Sequence, residues 1–132
     1  MNPLPDNIKD FLRDAPVCRI ATVRPNGTPH AIPVCPVFDG AYLYIDLDGE
    51  GVSAAGVKSN GQVTVLFDEY SDDWSKLRAV ILHTKAEQIE GEWQEVTWAM
   101  IREKFPQYSQ VEWEPRMTLA LTINGWSQWG FG

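Results

Sequence analysis

Residues 17–47 read VCRIATVRPNGTPHAIPVCPVFDGAYLYIDL, and the fold turns on how this stretch is divided. From Val17 to Val23 the run is β-rich around a single arginine, and it reaches Pro25-Asn26-Gly27, where asparagine and glycine tolerate the positive φ of a tight hairpin. A second strand then carries TPHAIPVCPVF, residues 28–38. Its prolines Pro29, Pro33 and Pro36 have no N–H to give to a ladder, which places the segment at an edge, a bulge or a barrel corner. Asp39-Gly40 turns it into a third strand, in which Ala41, Leu43, Ile45 and Leu47 face one way and Tyr42, Tyr44 and Asp46 the other. One side is core; the other carries polar aromatic groups.

Working outward, Ile8, Phe11, Leu12 and Ala15 keep the spacing of one helical face between Pro5-Asp6 and Pro16, so residues 1–16 hold an N-terminal helix. Residues 49–61 contain four glycines and little periodicity, which predicts a loop with at most a two-turn helix at 52–58. QVTVLFDEY (62–70) is a fourth strand, SDDWSK (71–76) a short turn capped by Ser71, and LRAVILHTKAEQIE (77–90) a long fifth strand. Trp93, Val96, Thr97, Met100, Ile101 and Lys104 mark a helix over 93–105, stopped by Pro106. RMTLALTI (116–123) is the sixth strand, and Asn124-Gly125 ends it, leaving a Trp/Gly-rich tail at 125–132. No repeat or linker interrupts the pattern, so a single domain over 1–132 is expected: mainly β, antiparallel, six strands closing a small barrel over 17–124.

Eleven basic against 18 acidic residues leave a net charge of −7, which repels nucleic-acid phosphates and anionic lipid heads. No apolar run reaches the roughly 20 residues of a membrane helix, and the first ten residues lack the basic and apolar regions of a secretion signal, so a cytoplasmic location is expected. In that reducing setting Cys18 and Cys35 are expected as thiols. Together with His30 and His83 they have no close zinc-like spacing, and no metal site is expected. Nucleophile-elbow, phosphate-loop and dinucleotide glycine patterns are missing as well.

CRIATVRPNGTPHAIPVCPVFDG, VTVLFDEYSDDWSKL and the terminal GWSQWG resemble the pyridoxamine 5'-phosphate oxidase-like split β-barrels, and among them a deazaflavin-dependent branch. The likeness runs from about Val17 to Gly130, with Asp68, Tyr70, Asp73 and Trp74 as its most specific part. It implies an FMN-binding split-barrel fold, a homodimer, and a flavin or deazaflavin (FMN or coenzyme F-420) held between subunits for hydride transfer with a small substrate. The cofactor-binding positions carried over are Arg19, Val34, Cys35, Tyr44, Asp46, Lys58 and Trp126; no catalytic side chain is assigned.

The chain departs from the family where the phosphate should bind. Ile32 and Val37 stand where relatives place Arg and Lys on the second strand, and no Lys or Arg occurs from Asp46 to Val57. A phosphate there meets Asp48 and Glu50 instead. Either it binds through Lys58, Arg19 or backbone N–H groups, or the cofactor is held weakly or not at all. The bland readings stay beside the functional ones. Lys58 also suits a solvated helix end, and Arg19 an ion pair with Asp68 or Asp46. Trp126 suits a dimer contact as well as a cofactor wall, while Trp74, Trp93 and Trp98 are explained by packing. Beside the oxidoreductase stand two further readings: a non-catalytic barrel carrying flavin, haem or tetrapyrrole, and a dimer that only binds other proteins.

Overall fold

The computed structural model describes residues 2–112 and 114–132. In chain order it contains α1 (Asp6–Asp14), β1 (Cys18–Val23), β2 (Pro29–Val34), β3 (Val37–Phe38), β4 (Tyr42–Leu47), α2 (Val52–Asn60), β5 (Gln62–Glu69), β6 (Arg78–Gln88), α3 (Gly91–Lys104) and β7 (Met117–Trp129). Short 3-10 turns occupy Trp74–Lys76 and Pro106–Gln110. None of the described helices is long and apolar enough to cross a membrane.

The strands form one antiparallel sheet in the order β2-β1-β5-β6-β7-β4-β3. Its two edges, β2 and β3, are successive pieces of the second strand expected from sequence, parted at Cys35-Pro36. Pro36 has no N–H for a ladder, and there the chain exchanges β1 as its partner for β4. Six expected strands therefore become seven, and the sheet curls so that its edges meet at this break.

Alternation along the strands sorts the core. Cys18 and Ile20 on β1, Leu43, Ile45 and Leu47 on β4, Val63, Val65 and Phe67 on β5, and Leu119 and Leu121 on β7 fill the barrel, with Ile8 and Leu12 of α1 closing one end. α2 lies against β1 closely enough that a Cβ at Gly56 would come within 2.8 Å of the Val23 carbonyl oxygen, so glycine is required there. A second cluster forms outside the barrel, where Trp98, Ile101 and Phe105 pack against Val37, Tyr44 and Ala120 on the outer side of β3, β4 and β7.

Three local expectations are corrected. Of the hairpin residues, Gly27 alone has positive φ (+90°); Asn26 acts through its side chain, accepting the Thr28 N–H at 3.0 Å. The 3-10 turn at Trp74 takes its N-cap from Asp73, whose carboxylate accepts the Ser75 N–H at 3.1 Å, while Ser71, expected as the cap, accepts the Asp73 N–H at 3.1 Å one step earlier. The last strand does not stop at Asn124-Gly125. The ladder pairs His83 with Gly125 and Thr84 with Ile123, so Asn124 is the extra residue of a β-bulge and β7 continues to Trp129.

Candidate functional site

Two adjoining cavities open beside the strand break. The first, about 290 Å³, is walled by Val34 and Cys35 at the end of β2, Asp46 at the end of β4, Asp48 of the following loop, and Tyr108 and Arg116 from the segment before β7. The second, about 180 Å³, lies between His30 and the start of α2 at Gly51, Val52 and Ser53. Ile32, Leu47 and Asp48 wall both, so the two form one groove along the same side of β2. That side is half-buried at His30, Ile32 and Val34, as period-2 alternation requires.

Asp46 is the buried charge of the first cavity, its side chain only 6% exposed. One carboxylate oxygen accepts the Thr118 hydroxyl at 2.7 Å and the Arg116 N–H at 3.3 Å. The other lies 3.6 Å from Arg116 Nε as an ion pair and accepts no hydrogen bond among the described residues. Thr118 in turn accepts Gln94 Nε2 at 2.9 Å and Trp98 Nε1 at 3.1 Å, so α3 fixes the carboxylate through one hydroxyl. α3 also pins the strand break itself. Lys104 Nζ donates to the carbonyls of Ala15 (2.7 Å) and Pro36 (2.8 Å), and burial lowers its pKa. Cys35 presents a free thiol at the surface, while Cys18 is sealed in the core, where burial pushes its pKa to about 12.

The second cavity is built differently. Gly51 at the helix N-cap offers no side-chain acceptor, and the first-turn N–H groups of an α-helix have no partner within it. Ser53 beside them is 5% exposed, and its hydroxyl has no hydrogen-bond partner among the described residues. N–H groups and a buried hydroxyl at the positive end of a nine-residue helix suit an anion's oxygens. Neither Lys nor Arg lines this cavity, however, and Asp48 does. Ile32 lines both cavities and Val37 is buried under α3, so the cations expected of the family are missing in space as well as in sequence. A phosphate monoester would meet backbone N–H groups of the first turn there, a mostly apolar wall and no fixed counter-charge.

Of the positions singled out in the sequence, Val34, Cys35 and Asp46 come together. The others do not join them. Tyr44 shares the Asp46 side of β4 but sits under α3, donating to Asp39 at 2.8 Å and accepting from Trp93 Nε1 at 3.1 Å; burial raises its pKa to about 12. Lys58 Nζ is bound to the Gly49 carbonyl at 2.8 Å, beside the groove and outside its lining. Trp126, on β7 opposite Leu82, donates to the Asn2 carbonyl at 2.8 Å. Arg19 pairs with Asp68 at 3.0 Å, one of the two partners named from sequence, in a separate cleft of about 570 Å³ that also holds Asp10, Asp14, Tyr70 and Arg78. Arg116, Tyr108, Ser53 and His30 were not picked out as site residues. Only the β4–β7 register, which pairs Asp46 with Thr118 and Leu47 with Met117, brings Arg116, the residue before β7, to the Asp46 end of β4. Among the described residues no group of three or more His, Cys, Asp or Glu could hold a metal.

The haem storage protein HutZ of Vibrio cholerae superposes with a TM-score of 0.77 at 19% identity, over 96% of this chain and 94% of its own. A FAD-binding protein of Mesorhizobium loti gives 0.73 at 20% identity, over 92% and 89%. A haem-binding protein of Mycobacterium smegmatis gives 0.79 at 15% identity, over 99% of this chain and 57% of that one. At these identities the likeness is one of fold. No curated protein matches the sequence significantly. The family model described as pyridoxamine 5'-phosphate oxidase matches residues 4–130, and with the split sheet and its groove this makes the chain a member of the pyridoxamine 5'-phosphate oxidase-like family.

Proposed function

We propose that the groove binds a flavin-type cofactor, with the ring against residues 32–35 and Asp46 and the anionic arm at the start of α2, and that the chain is an oxidoreductase. The observation that carries this is the groove itself: a cavity of about 290 Å³ walled by Val34, Cys35 and Asp46 that continues to the first turn of α2, whose N–H groups have no partner within the helix. Bound there, the ring supplies hydride transfer to or from a small molecule. The protein's share is to fix the ring's position: the Asp46 carboxylate held by Thr118, the Arg116 guanidinium beside it and the backbone of residues 32–35 provide acceptors and donors on one wall. A second copy of the chain closes the open side, docking on the outer face of β2, β1, β5 and β6, away from the α3 cluster.

Without Lys or Arg in the second cavity, FMN loses charge-assisted contacts worth about 1.5–3 kcal/mol each. A deazaflavin with a longer anionic tail reaches Lys58 beyond the groove and loses less, so coenzyme F-420 ranks above FMN. Fluorescence titration with both cofactors tests the reading. F-420 is expected to bind more tightly, Ser53→Ala to weaken both, and Lys58→Ala to weaken F-420 selectively. Tight FMN binding indifferent to both substitutions overturns it.

Haem carriage is the second reading. It is favoured by the surface thiol of Cys35 and the Tyr108 ring in one cavity, an iron ligand and an aromatic wall, and by the haem proteins among the structural neighbours. Addition of hemin would then give an absorbance band that shifts in Cys35→Ala; no shift removes this reading.

A further inference from the structure

We infer that the recess at the β7 bulge, on the outer face of β5, β6 and β7, is an anion site that takes the phosphate group of a small monoester through Lys85, His83, Thr64, Gln62 and Asn124. It shares no lining residue with the groove beside the strand break, and it stands whether or not that groove holds a flavin.

The recess exists because the ladder is broken here. β6 and β7 pair Thr84 with Ile123 and His83 with Gly125, so Asn124 is extra, and a glycine stands where a side chain would flank the imidazole. A Cβ on Gly125 would come to 3.9 Å from His83 Cδ2, in ordinary contact with the ring, so its absence leaves that flank open. On β5 and β6 the outward residues continue the wall, with Gln62 opposite Lys85 and Thr64 opposite His83. Gln62 and Lys85 lie at the end of the β5–β6 ladder, on the margin of the face assigned to a second copy. With Asn124 these residues line a cavity of about 290 Å³, roomier than a phosphate group alone needs, which leaves space for part of an ester.

The charge of the lining decides the ligand. The cavities described above carry carboxylates in their walls: Asp10, Asp14, Asp68 and Glu69 in the largest, Asp46 and Asp48 in the groove. This one has none, in a chain of net charge −7. Glu87, two residues beyond Lys85 on β6, stands outside it. Lys85 is a cation already held in place. Its Nζ donates to the Asn60 carbonyl at 2.7 Å, at the end of α2, and its side chain lies across Gly61, where a Cβ would come within 2.9 Å of Nζ. An ammonium has three N–H bonds, so the contact to Asn60 leaves others for a ligand. His83 adds a ring N–H, Thr64 a hydroxyl, and Gln62 and Asn124 amide N–H groups. Donors arriving from three strands suit a tetrahedral oxyanion, whose oxygens point in different directions, better than a carboxylate, which presents two oxygens along one edge.

The test is NMR titration of the isotope-labelled native chain at neutral pH with glycerol 3-phosphate, inorganic phosphate and acetate. The amide signals of Thr64, His83 and Gly125 should move saturably with both phosphates, and glycerol 3-phosphate should bind at least as tightly as the free ion. Acetate should bind about tenfold more weakly, the size of one charge-assisted contact. Lys85→Gln should weaken phosphate binding by about tenfold, and Thr64→Val, which leaves Lys85 on the Asn60 carbonyl, by about threefold. Tighter binding of the free ion overturns the assignment to an ester. Acetate binding as tight as that of phosphate, affinities unchanged in both variants, or no saturable shift around the bulge overturns the site. Shifts confined to residues 51–53 would place the anion at the α2 end of the groove, removing this inference while supporting the groove reading.

Discussion

The outer surface of the sheet is treated in two opposite ways. Over β3, β4 and β7 it is roofed by α3, with Trp98 buried to 1% and hydrogen-bonded to Thr118, and with Tyr44, Tyr42 and Trp93 stacked edge to face. Over β2, β1, β5 and β6 the described residues form no such cluster, and α1 borders one end only, where it shares a cleft with Arg19 and Asp68. The ladder there aligns Pro33, Arg19, Leu66 and Ile81 in one row and Ala31, Ala21, Thr64 and His83 in the next, a band of mostly small or aliphatic groups interrupted by Arg19 and His83, with Leu66 37% exposed. Large aromatics fill a space that the chain itself closes. Small, flat residues suit a surface that another surface must approach, and the groove with its missing wall lies beside the uncovered half. The chain thus spends its own helix where the carboxylate must be held still and leaves bare the half that we assign to a second copy.

The sharpest way to break this contrast is Trp98→Ala, which empties the roofed side and should cost about 3–5 kcal/mol of unfolding free energy in denaturant melts. A loss below about 1 kcal/mol would mean that α3 is not anchored there. Thr118→Val follows, expected to cost about 1–3 kcal/mol by stranding Trp98 Nε1, Gln94 and Asp46 at once, and to weaken ligand binding in the groove as Asp46 loosens. Next comes alkaline pH. Cys18 is raised from 9.0, and Tyr44 from 10.0, to about 12, so above pH 9 the unfolded chain releases protons that the folded chain keeps. Stability should therefore be complete below pH 9 and fall between pH 9 and 12, with a shallower fall in Cys18→Ala. A thiol reagent should accordingly label Cys35 alone in the native chain and both cysteines after unfolding. Smallest in its effect on the fold is Leu66→Lys on the bare half, expected to move stability by less than about 0.5 kcal/mol. Sedimentation should show it converting a dimer to single chains; an unchanged mass would remove the role given to that face.

Much of this was legible in the sequence, for reasons that also mark where reading stops. Alternation in YLYIDL gave the two sides of β4 correctly, yet it carries no information about position along the strand. Asp46 reaches the groove while Tyr44, two residues earlier on the same side, is covered by Trp93. The Arg19–Asp68 pair was one of two named from sequence, yet its premise of burial failed, since Arg19 faces outward on β1 with its side chain 47% exposed. Asn124-Gly125 misled because the residues that make tight turns also make bulges, and only the β6 register distinguishes the two. Arg116 and Tyr108 were silent, since their places in the groove depend on α3 and on a strand pairing some 70 residues apart in sequence.

The position of β7 has a consequence for how the chain comes to exist. Residues 117–129 form the strand that joins β6 on one side to β4 on the other, with ladders to both. Until it is in place, β2-β1-β5-β6 and β4-β3 are separate ribbons, connected by sequence but sharing no ladder. During synthesis, which proceeds from the N-terminus, both ribbons emerge with their inward faces uncovered and wait for the strand that unites them. Barrel closure is therefore a late, long-range event, slow by its topology. Through that interval the nascent chain exposes the apolar sides of Val65, Phe67 and Ile45, making the period before β7 arrives the time when it is most open to capture by a chaperone or to aggregation.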